Sequence, residues 1–506
     1  MQLSKAIISQ ITGAEVPPAS YFDLPEKVIQ FGTGVLLRGL PDYYIDKANK
    51  AGIFNGRVVV VKSTGNSDTN EFESQDSLYT QCICGVQKGA QVNYNIVNAS
   101  ISRVLHAKSQ WDAVLECAAN PALQIVISNT TEVGIVYAEE SIFSTPPASF
   151  PGKLLSFLHR RFEVFNGAVD KGMMIVPTEL IIDNGAKLKG ILVQLARYNN
   201  LSEDFINWLQ NSNTFCNSLV DRIVPGKPAA QFQRVIEASL GYTDDLLIMS
   251  EPYSLWAIET ANPQAKEILS FAKADDTVII APDIALYREL KLRLLNGSHT
   301  FSCGLAHLAG FVSVEESMHN EAFASFIQSL MLDEIAPAIK DESIPEKTKE
   351  EFAMSVLDRF RNPFIEHKWL NITLQYSSKM AMRNVPLITS YYHRFNNVPV
   401  RMALGFAAHL LFMKCRQEED GKWHGKVNGQ SYIVNDDNAA YYAEVWQQQK
   451  RVEAVATTIL SNAALWGEDL LSLPGFADKV IYFMNELMHD GVQPALNEMD
   501  KQKTVV

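Results

Sequence analysis

The chain has 506 residues, of which 47% are hydrophobic and 20% are charged, and its formal net charge is −13. This length exceeds what one hydrophobic core usually spans, so we expect two large domains. The acidic balance and the lack of basic blocks argue against nucleic acid as a partner, whereas two basic residues suffice to bind a small anion. Because no run of about 18 apolar residues occurs, and no apolar signal core opens the chain, we predict a cytoplasmic protein without a membrane partner.

The six cysteines are dispersed along the chain, which fits reduced thiols. Cys82 and Cys84 are close in sequence, but no second Cys or His pair follows at a spacing typical of zinc sites. We therefore predict that the protein holds no metal.

The first strong pattern is an apolar strand over residues 27–31 that runs into Gly32-Thr33-Gly34 and a helix-like segment over residues 36–51. Such a turn is typical of dinucleotide binding, because Gly32 permits the tight turn and Gly34 lets a pyrophosphate approach backbone N–H groups. The third glycine of the usual G-x-G-x-x-G pattern is absent. The predicted contacts are Phe31, Gly32, Thr33, Gly34 and Val35.

Further buried strands are predicted over residues 57–62, 123–128 and 172–177. Polar residues at the carboxyl end of a buried strand are typical ligand contacts, which points to Asn129 and Thr130. The strand over residues 57–62 ends at Lys62, where an acidic residue usually holds the adenosine ribose. Asp68 is the nearest acidic candidate, so NAD and NADP both stay open on these grounds. The alternation of strands and helices through about residue 180 predicts a doubly wound parallel sheet.

The pattern changes near residue 285, where apolar residues begin to recur at helical spacing. Helices are predicted over residues 300–333, 347–360, 400–416, 438–465 and 475–490. Asn428-Gly429 between two strand-like runs predicts a hairpin. We expect an α/β domain over residues 1–275, followed by a mostly α-helical domain over residues 276–506 with a hairpin insertion near residues 422–434.

Chemistry-bearing residues stand out in the stretch K-x4-N-x2-H. On an α-helix, Lys291, His299 and Asn296 fall at about 0°, 80° and 140° around the axis, and so on one side. An amine, an amide and an imidazole suit carbonyl and alcohol redox chemistry, which needs a proton carrier and neutral donors to the oxygen. The alternative is a solvated polar face. Lys379 and Arg383 are spaced to meet one anion on a helix, or to form a solvated basic surface.

With these pieces placed, the chain resembles the mannitol dehydrogenase family of polyol-specific long-chain dehydrogenases and reductases over nearly its whole length. The resemblance is carried by Gly32-x-Gly34-x-x-x-Arg38, Gln75 to Thr80, Asn217 to Pro225, Glu251 to Trp256, Lys291 to His299, Asp358 to Pro363 and Ser377-Ser378-Lys379.

The resemblance implies a Rossmann-type first domain, an α-helical second domain, an active site between them and metal-independent hydride transfer with NAD(P). By position, Lys291 resembles the general acid/base of the family, Asn296 its oxyanion donor and His299 a contact of substrate hydroxyls. Arg38 is placed among the cofactor contacts and Glu251 among the substrate contacts.

Thr178-Glu179-Leu180 departs from the family pattern, since polyol oxidisers usually carry Cys-Asp-Asn there, and Leu180 cannot serve as a second oxyanion donor. The chain resembles instead the hexuronate branch, whose substrates carry a carboxylate that Lys379 and Arg383 would bind. We expect NAD-dependent interconversion of D-tagaturonate and D-altronate by a monomer or small homo-oligomer. The alternatives are fructuronate and mannonate, another polyol, or a dinucleotide sensor without turnover.

Overall fold

The computed structural model describes residues 1–63, 70–130 and 134–503. The chain divides into two compact units, Met1–Cys84 with Gln91–Ile284, and Gly85–Ala90 with Ala285–Val506. The predicted domain boundary at residue 275 stays a prediction.

The strands before residue 285 are β1 Glu26–Phe31, β2 Arg57–Lys62, β3 Tyr79–Gln87, β4 Ala90–Asn98, β5 Ile101–His106, β6 Ile125–Ser128, β7 Met174–Pro177, β8 Thr214–Phe215, β9 Asn217–Asp221, β10 Ile248–Ser250, β11 Leu255–Glu259 and β12 Val278–Ala281. The helices are α1 Val35–Gly39, α2 Pro41–Lys50, α3 Asn70–Ser74, α4 Trp111–Glu116, α5 Phe150–Val164, α6 Asn184–Tyr198, α7 Glu203–Asn211, α8 Ala230–Leu240 and α9 Ala265–Ile268. Short 3-10 turns cover Lys5–Gln10, Ala19–Asp23, Cys117–Ala119, Val169–Lys171 and Ser270–Ala274.

The centre of the first unit is a six-stranded parallel sheet in the order β5-β2-β1-β6-β7-β8. Successive residues of β2 alternate between two apolar clusters, with Val58 and Val60 in one and Val59 and Val61 in the other. A strand buried on both faces needs apolar residues at every position, which is why the four valines are consecutive. The predicted doubly wound parallel sheet is confirmed.

The sequence analysis missed β5, which pairs with β2 at the edge of this sheet. Ile101, Val104 and Leu105 are buried in this strand, but Ser102 is only partly buried and Arg103 is exposed. An edge strand with one open side lacks the continuous apolar run that identified its neighbours. Two smaller sheets, in the orders β10-β3-β4 and β12-β11-β9, complete the strand pairing of this part of the chain.

One segment that was predicted as a single helix consists of two helices. The segment expected as one helix over residues 36–51 consists of α1 and α2, which are separated at Leu40 (φ −131°, ψ −76°). Leu40 precedes Pro41, and the proline ring disfavours helical geometry in the residue before it. Pro41 itself opens α2, where its missing N–H costs no hydrogen bond.

The second unit is mostly helical. Its α-helices are α10 Ala285–Leu290, α11 Ser298–Ala309, α12 Val314–Met318, α13 Glu321–Ser329, α14 Ala336–Ala338, α15 Glu346–Phe360, α16 Trp369–Ile372, α17 Tyr376–Lys379, α18 Val385–Phe395, α19 Val400–Phe412, α20 Ala439–Gln448, α21 Val452–Leu460, α22 Ala463–Trp466, α23 Phe476–His489 and α24 Val492–Lys503, with a 3-10 turn over Leu470–Ser472. Three π-helices, Lys291–Gly297, Leu330–Ile335 and Met380–Asn384, interrupt this pattern.

A long helix predicted over residues 300–333 is broken in the structure. Gly310, in the left-handed region at φ +91°, ends α11, and Ser313 opens α12 through a capping box with Glu316. Both are ordinary helix stop and start signals. Within the described ranges, the structure contains no helix that is long and apolar enough to cross a membrane.

The hairpin near residues 422–434 forms in the structure. Strands β13 Cys415–Gln417, β14 Trp423–Val427 and β15 Gln430–Ile433 make an antiparallel sheet, and Asn428-Gly429 turns between β14 and β15. Both turn residues have positive φ, +49° and +82°, as a tight two-residue hairpin turn requires.

Candidate functional site

The predicted dinucleotide turn lies where the strand order of the parallel sheet reverses. β1 pairs with β2 on one side and with β6 on the other, so a crevice opens at their carboxyl ends. Gly32 follows β1 at φ +126°, and a Cβ there would lie 2.9 Å from Leu37 Cδ1 and 3.1 Å from the Asn129 carbonyl oxygen. Only glycine meets both demands.

Gly34 has a different role in the same turn. Its φ of −59° suits any residue, and a Cβ there would meet no described atom within 4 Å. The missing side chain therefore leaves open space in front of the backbone that leads into α1. This geometry fits a group that approaches the backbone closely, as a pyrophosphate does.

The neighbouring loop after β6 is fixed by a buried carboxylate. Glu179 Oε1 accepts hydrogen bonds from the Thr130 amide and hydroxyl at 2.9 and 3.1 Å, and its Oε2 accepts one from Ser128 Oγ at 3.1 Å. Burial raises the pKa of Glu179. Asn129 Nδ2 donates to the Thr178 carbonyl at 3.1 Å. The side chains of Asn129 and Thr130 thus build the loop, and sequence reasoning gave Glu179 no role in it.

Three other predicted cofactor contacts stay predictions. Phe31 is fully buried at the end of β1 and packs against Phe150, with 5.4 Å between the ring centroids. Arg38 is buried, donates to the Leu246 carbonyl at 2.5 Å and lies over the Tyr79 ring. Its guanidinium is therefore engaged within the first unit. Asp68 lies outside the described residues.

The K-x4-N-x2-H stretch is not an α-helix as predicted. Lys291–Gly297 is a π-helix, and α11 continues from Ser298. In a π-helix residue i bonds to residue i+5, so each turn holds more residues. Asn296, five residues after Lys291, therefore falls closer to it around the axis than the α-helical estimate of about 140°. Such insertions occur frequently at functional sites.

His299 follows this π-helix in the first turn of α11. Its ring stacks on Phe360 at 4.2 Å between centroids and meets His367 and Trp369 edge to face at 5.1 and 5.9 Å. The side chain is buried, and among the described residues its Nε2 has no hydrogen-bond partner. A buried imidazole nitrogen without a partner is costly, and a bound hydroxyl would satisfy it.

Four basic side chains influence the pKa of His299. Burial lowers the pKa of His299 well below its ordinary value, and the charges of His367, Arg359, Arg383 and Lys379 lower it further. The imidazole is therefore neutral at neutral pH, with one nitrogen as donor and one as acceptor. We call these four residues the basic cluster. Burial also lowers the pKa of His367, so the positive charge of the cluster comes from Arg359, Arg383 and Lys379. Positive charge near a buried polar group suits an anionic ligand.

The predicted anion-binding pair belongs to the basic cluster. Lys379, half-buried at the end of α17, donates to the Ile372 carbonyl at 2.9 Å. Arg383, in the π-helix Met380–Asn384, donates through Nη1 to Thr300 Oγ1 at 3.2 Å. Its buried Nε has no partner among the described residues. Burial and the charge of Arg383 lower the pKa of Lys379.

Two π-helices of the site are tied together by side chains. Arg293 Nη1 donates to the Arg383 carbonyl at 2.6 Å, and Asn384 Nδ2 donates to the Gly297 carbonyl at 3.3 Å. These carbonyls lie in the irregular turns, where a helix leaves backbone groups to be satisfied from outside. The segments that carry Lys291 and Arg383 are thus held as one packed pair.

Sequence reasoning missed Arg359 and His367 as members of the basic cluster. Arg359 lies in the Asp358 to Pro363 motif, which carried the family resemblance without a role of its own. His367 lies between α15 and α16 and has no periodic pattern around it. Glu251 lies in the first unit, where its Oε1 accepts a hydrogen bond from the Ile223 amide at 2.6 Å. Its role as a substrate contact stays a prediction.

Metal binding was also predicted to be absent. Among the residues with described positions, no group of three or more His, Cys, Asp and Glu side chains is arranged to hold a metal ion. The six cysteines, all at described positions, are buried and form no disulfide bonds.

Comparison with known proteins agrees with this geometry along the chain. The mannitol dehydrogenase Rossmann domain matches residues 26–270, and the mannitol dehydrogenase C-terminal domain matches residues 283–498. An altronate oxidoreductase of Bacillus subtilis (strain 168) is 38% identical over 482 residues, covering 94% of this chain and 96% of the relative. One from Shigella flexneri is 35% identical over 493 residues, covering 96% and 98%.

Two solved structures share the fold. A D-sorbitol dehydrogenase in substrate-free form has a TM-score of 0.79 at 21% identity and covers 98% of this chain and 100% of its own. A mannitol 2-dehydrogenase of Pseudomonas fluorescens, in ternary complex with NAD and D-mannitol, has a TM-score of 0.66 at 22% identity and covers 99% and 100%. The predicted resemblance is confirmed: the chain belongs to the mannitol dehydrogenase family.

Proposed function

We propose that this protein is an NAD-dependent oxidoreductase that interconverts D-tagaturonate and D-altronate. The observation that carries the proposal is the basic cluster around the neutral, buried His299, directly after the π-helix of Lys291 and Asn296. This arrangement suits a substrate that bears both a carboxylate and a carbonyl or hydroxyl group. Relatives named altronate oxidoreductase, at 35 to 38% identity over nearly the whole chain, support the same substrate.

The cofactor is proposed to bind at the Gly32-Thr33-Gly34 turn, where the open space at Gly34 receives the pyrophosphate. The Rossmann domain match and the NAD-bound relative of the same fold support NAD. When bound, the reduced cofactor supplies the hydride. Everything else in the reaction is assigned to side chains of the protein.

Lys291 is the proposed acid and base. In the reductive direction its ammonium gives a proton to the substrate oxygen as the carbonyl carbon receives the hydride, and in the oxidative direction the amine takes the hydroxyl proton back. The Asn296 amide donates a hydrogen bond to that oxygen while negative charge develops on it. His299 is neutral because burial lowers its pKa, and its Nε2 forms a hydrogen bond with a substrate hydroxyl, as donor or acceptor according to the tautomer.

Lys379 and Arg383 are the proposed ligands of the substrate carboxylate. A charged hydrogen bond in a half-buried site is stronger than a neutral one, so the carboxylate should contribute strongly to recognition. Because any hexuronate carries this group, fructuronate is the second candidate substrate. A sensor without turnover would need the glycine turn alone, and it would leave the Lys291, Asn296 and His299 group unexplained.

The test is NADH oxidation with D-tagaturonate, D-fructuronate and the uncharged ketose D-tagatose offered in parallel. The proposal expects the highest kcat/KM for D-tagaturonate, and a much lower value for D-tagatose, because D-tagatose lacks the carboxylate. Preference for D-fructuronate would keep the chemistry and move the substrate. Equal use of D-tagatose would remove the carboxylate from recognition. Repeating the assay with NADPH tests the choice of cofactor.

Two further expectations accompany this proposal. We expect the protein to act in the cytoplasm, and as a monomer or small homo-oligomer. Both stay predictions, and size-exclusion chromatography with light scattering would determine the oligomeric state.

A further inference from the structure

The loop after the β-hairpin insertion is hydrogen-bonded to the start of α17, the short helix that ends in Lys379. Gln375 donates its amide to the Asn435 carbonyl at 2.9 Å and its side-chain amide to Asp437 at 2.9 Å. The Asp437 amide donates in return to Gln375 Oε1 at 3.2 Å. These bonds join two segments that are about sixty residues apart in sequence.

Asp436 is central to this contact between the loop and α17. It is buried, and its Oδ2 accepts the Ser377 amide at 2.7 Å while its Oδ1 accepts the Ser377 hydroxyl at 2.5 Å and the Asn438 amide at 2.9 Å. Asn438 Nδ2 donates in turn to Ser377 Oγ at 3.0 Å. A buried carboxylate that accepts three hydrogen bonds fixes its partners firmly, because losing it would leave buried donors unsatisfied.

The helix that Asp436 holds cannot position itself. α17 has only four residues, Tyr376–Lys379, which is far below the length at which a helix is stable alone. It begins after Gln375 in the left-handed region at φ +52° and passes directly into the π-helix Met380–Asn384. The far end of that π-helix is held by Arg293 and by Asn384. At the near end, the Tyr376 ring packs against His409 and Phe412, and its hydroxyl accepts a hydrogen bond from the Gly304 amide at 3.1 Å. The next residue, Ser377, is held by Asp436 in the loop over residues 435–438.

We infer that Asp436 is a positioning residue for substrate recognition, which holds Ser377 so that the Lys379 ammonium stands ready for the substrate carboxylate. The inference rests on the proposed function, because it takes Lys379 as a ligand of that carboxylate. It also assigns a role to the β-hairpin insertion, which would position the loop that carries Asp436, since β15 leads directly into that loop.

The charge of Asp436 acts in the same direction as its geometry. Burial and the charge of Arg383 lower the pKa of Lys379, whereas the negative charge of Asp436 opposes that change. Asp436 thus helps to keep Lys379 protonated, which is the form that binds a carboxylate.

The experiment measures KM and kcat for D-tagaturonate in the full-length protein and in Asp436→Asn, Ser377→Ala and the double variant. Asp436→Asn keeps the size of the side chain but removes its charge and one acceptor. The inference expects KM to rise roughly tenfold in each single variant with kcat changed less than about threefold, because uniform substrate binding is lost and the chemical step is kept. The effects of the two substitutions should not add in the double variant, since the hydrogen bond from the Ser377 hydroxyl to Asp436 is disturbed by either one.

Three further measurements keep the result interpretable. Asp420→Asn removes an exposed carboxylate from the same insertion, where Asp420 pairs with His424, and should leave both constants unchanged. Lys379→Ala serves as the reference for loss of the carboxylate ligand. KM for NADH should be unchanged in Asp436→Asn, since a general loss of structure would alter it as well.

Each outcome is decisive. Raised KM in Lys379→Ala with unchanged KM in both Asp436→Asn and Ser377→Ala would overturn the inference and leave the proposed function intact. Unchanged KM in Lys379→Ala would remove its carboxylate role and the inference with it. Lack of uronate turnover by the natural protein would overturn both. If Asp436→Asn does not fold, Ser377→Ala alone decides the question.

Discussion

The glycine turn of the first unit and the basic cluster of the second differ in how regular their backbone is. The turn follows a strand that is hydrogen-bonded on both sides in an ordinary parallel ladder. In the second unit, Lys291 and Asn296 lie in the π-helix Lys291–Gly297, and Arg383 of the basic cluster lies in the π-helix Met380–Asn384. In both segments the usual i to i+4 hydrogen bonding of an α-helix is replaced. The proposed cofactor site is therefore a standard turn, whereas the proposed acid/base Lys291 and the proposed oxygen donor Asn296 lie on irregular backbone.

This difference has a physical reason. A dinucleotide is recognised largely by backbone N–H groups, and a tight turn at a strand end supplies them without special side chains. A reacting carbonyl needs several side chains at one point, and α-helical spacing spreads Lys291 and Asn296 apart by about 140°. The π-helix brings the two residues closer together around the axis. The predictions below test the two regions in order of expected effect.

The largest expected effect in this group comes from Asn296, the proposed donor to the substrate oxygen. Asn296→Asp replaces the donor with a carboxylate of the same size, and we expect kcat for D-tagaturonate to fall by about 10²–10³ because the developing charge loses its hydrogen bond. Stopped-flow measurement of NADH oxidation gives the rate. Asn397→Asp, at an exposed site, is the matched control. A change confined to KM would show that Asn296 binds substrate without assisting the chemical step.

The glycine turn makes a paired prediction. The fold should tolerate Gly34→Ala, because the new methyl group would enter open space and φ is permitted for alanine. We expect the affinity for NADH to fall by roughly tenfold or more, because the methyl group would occupy the space through which the pyrophosphate approaches the backbone. Gly32→Ala should instead lower the free energy of unfolding by about 1–3 kcal/mol, since a φ of +126° is strained for any residue other than glycine. Tryptophan fluorescence titration and thermal unfolding separate the two. Normal NADH affinity in Gly34→Ala would contradict the assigned site.

A smaller effect concerns acid stability. Burial lowers the pKa of His409 to about 3, and its Nε2 shares a hydrogen bond with Tyr442 at 2.9 Å. Below the ordinary histidine pKa of about 6.5 the unfolded chain binds a proton that the folded chain refuses, so the free energy of unfolding falls as pH decreases. The loss should continue down to the folded pKa of about 3. Urea unfolding of the natural protein and of His409→Gln, at neutral and mildly acidic pH, measures the slope.

His409→Gln should show a shallower loss of stability with falling pH, even if it is less stable at neutral pH. His489→Gln, at an exposed position, should retain the natural slope. Parallel slopes for all three proteins would mean that His409 is not a source of the acid sensitivity.

The regular parts of the molecule were predictable from the sequence because burial imposes simple patterns. Four consecutive valines in β2 and the glycine turn after β1 each have one good structural explanation. The edge strand β5 was missed because Arg103 breaks its apolar run. The K-x4-N-x2-H residues were singled out as a group, and their shared role stays a prediction. Their backbone was assigned to the wrong helix type. The π-helix Lys291–Gly297 has only seven residues and continues directly into α11, so it is too short for its different residue spacing to show in the apolar pattern.

Other parts of the site depend on contacts between distant segments. His367 and Asp436 come from loops without periodicity, and each acquires meaning only when folding brings it beside His299 or Ser377. Glu179 was visible as a departure from the family pattern, yet its hydrogen bonds to the loop after β6 follow from the sheet register. A single sequence shows that such residues are present, but it does not show which distant residues they contact in the folded protein.

The most direct test of the account is the rate of NADH oxidation with D-tagaturonate in the natural protein and in Lys291→Ala. We predict turnover in the natural protein and a fall in kcat of about 10³-fold or more in the variant, since Lys291 is the proposed carrier of the proton in the step that moves the hydride. Exposed Lys340→Ala is the control and should match the natural protein. Turnover of D-tagaturonate that persists in Lys291→Ala, or is absent from the natural protein, would contradict the account.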